Sequence, residues 1–125
     1  MMDRWNVCIC KEAEEEFRKL DGSLKRQVAA GIYRVSENPL PHPHGYGKPL
    51  GSKSGNDLTG LLKIKYKDIG IRVVYTLNME EMTMNILVIG VREDDYCYKL
   101  AVKMSEKYKD DIYKNLFTKL IISNR

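Results

Sequence analysis

The stretch Leu61–Tyr75, LLKIKYKDIGIRVVY, leaves this chain few folds to choose from. Its residues alternate on both sides of a short turn, the two-residue period of strands with one face buried. Leu62, Ile64 and Tyr66 fall on one side of the first strand, and Lys63, Lys65 and Lys67 on the other. Beyond the turn Ile71, Val73 and Tyr75 alternate with Arg72, Val74 and Thr76. With Lys67–Gly70 as a four-residue hairpin loop, Tyr66 is expected to pair with Ile71 and Lys65 with Arg72. That register gathers the apolar residues on one face and Lys63, Lys65 and Arg72 on the other. A slip of one residue would scatter both sets. Like charges set directly opposite each other cost stability. The sheet either leaves such a cluster in water, the commoner outcome for a basic face, or keeps it for an anion.

The rest of the chain supplies what this hairpin needs to bury its apolar side. Trp5–Cys10 reads as a first strand. Glu12–Leu20 reads as a helix, with Ala13, Phe17 and Leu20 at helical spacing, acidic residues in the first turns and Arg18 and Lys19 at the end. Asp21-Gly22 stops it. Ser23 is the expected N-cap of a second helix, Leu24 to about Ser36, whose apolar line is Leu24, Val28, Ala29, Ile32 and Val35. Asn38-Pro39 ends that helix, and a loop of about 20 residues from Pro39 to Thr59 is expected next. Met84–Val91, the most apolar strand, belongs at the centre of the sheet. Arg92 follows it directly, and Lys99–Met104 reads as a short helix. Ser105 is the expected cap of a last helix carrying Tyr108, Ile112, Leu116 and Leu120 at i, i+4 spacing. The order of strand, two helices, antiparallel strands and helix is that of an α+β domain.

Composition narrows the function classes. At 125 residues the chain suits one domain with one core. Its net charge of +4 favours a polyanionic partner. The excess lies in the half that holds the hairpin, with 12 Lys/Arg against 9 Asp/Glu from Lys63 onward and 9 against 8 before it. Met1-Met2-Asp3-Arg4 runs into an alternating strand and not an apolar leader, and no apolar run approaches the ~20 residues that span a bilayer. A cytoplasmic protein is expected. Cys8, Cys10 and Cys97 read as reduced thiols and not a disulfide framework. His42 and His44 read as exposed loop residues and not metal ligands. Neither a metal nor a cofactor is expected. Lys48 and Lys53 in the long loop are within reach of a polyanion.

The whole pattern resembles the RelE/ParE superfamily of bacterial type II toxins, and within it the RelE-like ribosome-dependent mRNA endonucleases. LKIKYKDIGIRVVY (Leu62–Tyr75) is similar to the family's second and third strands, and VIGVREDDYCY (Val88–Tyr98) to its last strand and the turn that follows. The resemblance implies a RelE-like toxin domain over residues 1–104; residues 105–125 run past the family's usual end, and this helical extension is expected to pack its apolar stripe on the same domain. It also implies a catalytic set of Lys63, Lys65, Arg72, Arg92 and Tyr98, with Lys67 and Lys48 touching RNA. Cleavage of RNA without metal needs a base near the 2′-OH, an acid near the leaving oxygen and cations on the phosphate. Lys65 is the candidate base, with its pKa lowered by Lys63 and Arg72, which hold the scissile phosphate. Arg92 acts electrostatically at the leaving oxygen, and Tyr98 orients the 2′-OH or stacks on a base. The implied partners are mRNA, the ribosomal A site and a cognate antitoxin whose acidic or amphipathic segment suits the basic site. Two other readings belong to the same fold: a ParE-like inhibitor of DNA gyrase, and a catalytically silent homologue that acts by binding its antitoxin.

Overall fold

The computed structural model describes residues 4–53, 56–66, 68–91, 94–109 and 118–120. Strand β1 (Asn6–Ile9) leads into helices α1 (Lys11–Lys19) and α2 (Gly22–Val35). Strands β2 (Lys48–Lys53), β3 (Asn56–Tyr66), β4 (Ile71–Asn78) and β5 (Thr83–Gly90) follow, then helix α3 (Asp94–Lys107) and strand β6 (Thr118–Lys119). The strands form one sheet in the order β2-β3-β4-β5-β1-β6. The α+β architecture expected from the pattern is present.

Helix α1 carries Glu12 and Glu14 in its first turn and Arg18 and Lys19 in its last, the polarity that the helix dipole favours. Exposed Glu14–Arg18 and Glu16–Lys19 pairs line its surface. Between the helices the N-cap is Asp21, not the expected Ser23. The Asp21 carboxylate accepts from the Leu24 N–H at 2.9 Å, so the helix begins at Gly22 and takes Ser23 into its first turn. Both residue types cap well, and the earlier one in the chain captured the free N–H. Val28, Ile32 and Val35 of α2 are buried as expected.

The β3–β4 ladder has the expected register: Tyr66 pairs with Ile71, Ile64 with Val73, Leu62 with Tyr75, Lys65 with Arg72 and Lys63 with Val74. Side chains alternate, so Tyr66 and Lys63 mark opposite faces. On the Tyr66 face lies α2, where the Tyr66 hydroxyl donates to the Val28 carbonyl at 2.7 Å. The Tyr75 hydroxyl donates to the Pro39 carbonyl at 2.9 Å beyond the same helix. Burial pushes both phenols well above the ordinary tyrosine range. On the Lys63 face lies α3, whose buried Cys97, Tyr98, Ala101 and Met104 close the core from that side. Strand β5 is buried along its whole length and stands between β4 and β1, as its apolar run predicts. It pairs antiparallel with β4 and parallel with β1, because the α1–α2 hairpin carries the chain back across the sheet.

Two expectations are corrected here. The long loop from Pro39 to Thr59 contains strand β2 and the start of β3. The residues that read as loop, KPLGSK, form an edge strand with a register shift between Pro49 and Gly51. Proline and glycine are tolerated there because an edge strand has one unpaired side and the shift absorbs the irregularity. The last helix does not start at Ser105, which lies inside α3 and donates its hydroxyl to the Val102 carbonyl at 3.0 Å. The expected helix across 110–117 lies outside the described residues. At its far end the chain is extended: Thr118 and Lys119 pair antiparallel with Ile9 and Cys8, and the Leu120 N–H donates to the Val7 carbonyl at 2.8 Å. An apolar i, i+4 pattern does not register that β1 has an open edge to be filled. No described helix is long and apolar enough to cross a membrane.

Candidate functional site

Two rows of cross-strand partners build the basic face. In one, Lys48 of β2 stands opposite Lys63 of β3, which stands opposite Val74 of β4. In the other, Lys65 of β3 stands opposite Arg72 of β4, which stands opposite Gly90 of β5. Directly paired residues share a face, so Lys48, Lys63, Lys65 and Arg72 all belong to the side on which α3 lies. Lys48 is exposed, while Lys63 and Arg72 are half-buried. For Lys65 the placement rests on the backbone register. Val74 and Gly90 complete the two rows. Four cationic residues over three adjacent strands form a surface suited to an anion.

Helix α3 brings the aromatic member. Lys63 Nζ donates to the Tyr98 hydroxyl at 3.2 Å and lies 5.8 Å from its ring centroid. Tyr98 is only 3% exposed, so its ring face is enclosed and its contact with the basic row runs through Lys63. The stacking role anticipated for Tyr98 finds no open ring here. Arg72 Nη1 donates to the Gly70 carbonyl at 3.1 Å, which ties the guanidinium to its own hairpin turn. Cys97, the residue before Tyr98, rests on Gly90. A Cβ built at Gly90 would lie 2.4 Å from the Cys97 Sγ, so α3 touches the sheet where β5 has no side chain.

Of the residues singled out in the sequence, Lys63, Lys65 and Arg72 share one face and Tyr98 meets Lys63. Lys48 joins them through strand β2, which the pattern of Pro49 and Gly51 disguises as loop. Arg92 and Lys67 lie outside the described residues. His42 and His44 are exposed on the loop before β2. Among the described residues no three His, Cys, Asp or Glu side chains group as metal ligands would. None of Cys8, Cys10 and Cys97 forms a disulfide. Burial pushes the Cys10 thiol up, and its Sγ donates to the Leu87 carbonyl at 3.3 Å.

Away from the basic face, α1 and the end of α3 are clamped together. The Glu12 carboxylate accepts from Lys107 and from the Tyr108 hydroxyl, the latter at 2.5 Å. Desolvation pushes the Glu12 carboxyl up, but these two hydrogen bonds outweigh it and hold the group below the ordinary glutamate value. The same contact raises the Lys107 ammonium above its ordinary value.

No family model matches the chain. Among curated proteins, an Escherichia coli RelE-like toxin protein is 26% identical over 98 residues, which is 78% of this chain and 94% of that protein. The mRNA interferase toxin RelE of Escherichia coli K12 is 28% identical over 96 residues, covering 74% and 88%. Among solved structures, a double arginine-to-alanine variant of Escherichia coli RelE in the free state superposes with a TM-score of 0.63. It is 24% identical, and the match covers 81% of this chain and 97% of that one. The RelBE2 toxin–antitoxin complex of Mycobacterium tuberculosis contains a chain that matches with a TM-score of 0.59 at 24% identity, covering 75% and 98%. In sequence over about three quarters of its length, and in fold, the chain is RelE-like.

Proposed function

We propose that the chain is the toxin of a type II toxin–antitoxin system and an endoribonuclease that cuts mRNA in the ribosomal A site. The observation that carries this reading is the pair of ladder rows that puts Lys48, Lys63, Lys65 and Arg72 on one face, with Lys63 bonded to Tyr98. Similarity to a named mRNA interferase supports it, and so do structural neighbours solved with an antitoxin.

In this reading the 2′-oxygen attacks the adjacent phosphorus as its proton passes to a base. The new 2′-O–P bond replaces the P–O5′ bond, leaving a 2′,3′-cyclic phosphate and a 5′-hydroxyl. Lys65, the ladder partner of Arg72, is the base. Lys63 and Arg72 hold the phosphate oxygens as charge grows on them. Lys48, farther out on β2, receives the neighbouring phosphate of the strand, and Lys67 is a further RNA contact. Arg92 serves the leaving oxygen as an electrostatic partner, since arginine does not give up its proton, and water supplies the proton of the 5′-hydroxyl. Tyr98 acts by fixing Lys63. Bound on the ribosome, the mRNA arrives oriented, so a modest set of side chains suffices. An antitoxin with an acidic or amphipathic segment would mask the cations, and the system would operate in the cytoplasm.

The test is cleavage of mRNA on purified ribosomes carrying a defined A-site codon, with wild type beside Arg72→Ala. Ribosome-dependent cuts ending in a 2′,3′-cyclic phosphate, lost in a folded Arg72→Ala variant, are expected. A folded, antitoxin-free chain that leaves mRNA intact refutes the nuclease, and inhibition of gyrase supercoiling by that chain would point to the ParE-like activity instead.

A further inference from the structure

We infer that Gly90 is a positioning residue of the basic site, acting through Cys97 to set the distance between Tyr98 and Lys63. The inference deepens the nuclease reading and rests on it for its effect on catalysis, but its structural core stands separately. Three observations carry it. Gly90 is the register partner of Arg72, so it lies in the row that holds Lys65 and Arg72. The Cys97 Sγ occupies the space of the missing side chain, 2.4 Å from where a Cβ would stand. Tyr98, the next residue on α3, reaches Lys63 Nζ at 3.2 Å.

Any side chain at Gly90 must drive Cys97 away by about 1 Å before it reaches ordinary van der Waals separation. Cys97 is fully buried and Tyr98 nearly so, which leaves a sideways escape by rotamer change little room. The helix must therefore lift or turn at its N-terminal end. A displacement of that size takes the Tyr98–Lys63 contact from 3.2 Å past the limit of a hydrogen bond. Lys63 then loses its fixed acceptor, and its ammonium is free to wander over the basic face.

The geometry also names the repair. The Cys97 Cβ lies 3.7 Å from the Cβ that Gly90→Ala would add, an ordinary contact. Removing only the sulfur, with Cys97→Ala, therefore makes room for the methyl that Gly90→Ala introduces. One large and one absent side chain are exchanged for two small ones, and α3 returns to its seat.

The experiment compares wild type, Gly90→Ala, Cys97→Ala and the double variant. The Cζ resonance of Tyr98 is followed in 13C-tyrosine-labelled protein and assigned with Tyr98→Phe. Gly90→Ala is expected to move that resonance in the direction that Lys63→Met moves it, and the double variant to return it to the wild-type position. Single-turnover cleavage on ribosomes is expected to fall at least tenfold in Gly90→Ala without a matching change in apparent ribosome affinity. In the double variant it recovers to within threefold of Cys97→Ala. If Gly90→Ala fails to fold, the double variant must fold and show the wild-type resonance. An unmoved Tyr98 signal in folded Gly90→Ala, or a double variant no better than the single, overturns the inference. A wild type that never cuts RNA refutes the nuclease reading alone, and the resonances still decide the role of Gly90.

Discussion

Substituting Gly31 with alanine sets helix propensity against packing, and the structure says which wins. Gly31 lies deep inside α2, where exchanging glycine for alanine ordinarily stabilises a helix by about 1 kcal/mol. Here the added Cβ would stand 2.4 to 2.6 Å from three atoms of the Tyr66 ring: Oη, Cε2 and Cζ. That ring is wedged between helix and sheet with its hydroxyl on the Val28 carbonyl. Retreat by about 1 Å costs overpacking strain of roughly 1–3 kcal/mol and endangers a hydrogen bond worth about 1 kcal/mol. The net expectation is a loss of roughly 1–3 kcal/mol. With a urea m-value of about 2 kcal/mol/M, the unfolding midpoint falls by about 0.5–1.5 M. Equilibrium urea unfolding followed by circular dichroism measures this directly. In a Tyr66→Leu background the obstructing ring atoms are gone, and the same Gly31→Ala change is expected to be neutral or stabilising. A midpoint that rises for Gly31→Ala in the native background, or an equal loss in both backgrounds, refutes the claim that the Tyr66 ring dictates glycine at this position.

Further expectations follow from contacts already described. Asp21→Ala removes the carboxylate that caps α2 and should cost about 1 kcal/mol in thermal or urea unfolding, whereas Ser23→Ala should be nearly silent. Lys48→Thr relieves like charges on opposed strands and should stabilise the fold by roughly 0.3 kcal/mol at low salt, a gain that shrinks in 1 M NaCl; the melting temperature at both salt concentrations reads it. The Glu12 clamp predicts a pH dependence of definite sign. Because the folded-state pKa is depressed, its stabilisation is present above the ordinary glutamate value and is lost as pH falls through the folded one. Glu12→Gln should therefore be less stable than wild type at neutral pH and converge with it in acid, which a pH series of urea midpoints would show.

Much of the fold was legible because local pattern and long-range partner agreed. The alternation on either side of Asp68–Gly70 determined both strands and their register, since only one pairing put Tyr66 beside Ile71 and all the apolar side chains on one face. The apolar run before Arg92 announced a central strand, and β5 is one. The misses share a cause. Strand β2 carries Pro49 and Gly51, which read as loop because nothing local reveals that β3 waits beside them. The helical spacing from Tyr108 to Leu120 likewise could not reveal that β1 offers an edge to Thr118 and Lys119. Asp21 read as the stop of the first helix, yet its carboxylate caps the second, because an Asp-Gly pair between two helices can serve both ends. The site followed the same logic. Lys63, Lys65 and Arg72 were readable from strand alternation, while Lys48 needed the unseen strand and Gly90 needed the helix that rests on it.

The parallel pairing of β1 with β5 has a consequence for how the chain acquires its structure. Ile9 pairs with Ile86, 77 residues later, whereas β3, β4 and β5 meet through short turns. Closing so long a loop costs entropy that the hairpins do not pay, so the β3–β5 meander is expected to form first and β1 to dock afterwards. During synthesis β1 and the two helices emerge with no sheet to lie on, and they acquire one only when the strand through Gly90 has been made. The rows bearing Lys63, Lys65 and Arg72 belong to the early meander, but Tyr98 comes after it. With the meander formed first, the cations come together before the helix that carries Tyr98 has docked on them. That interval is one in which a partner able to bind the bare basic face would find it already assembled.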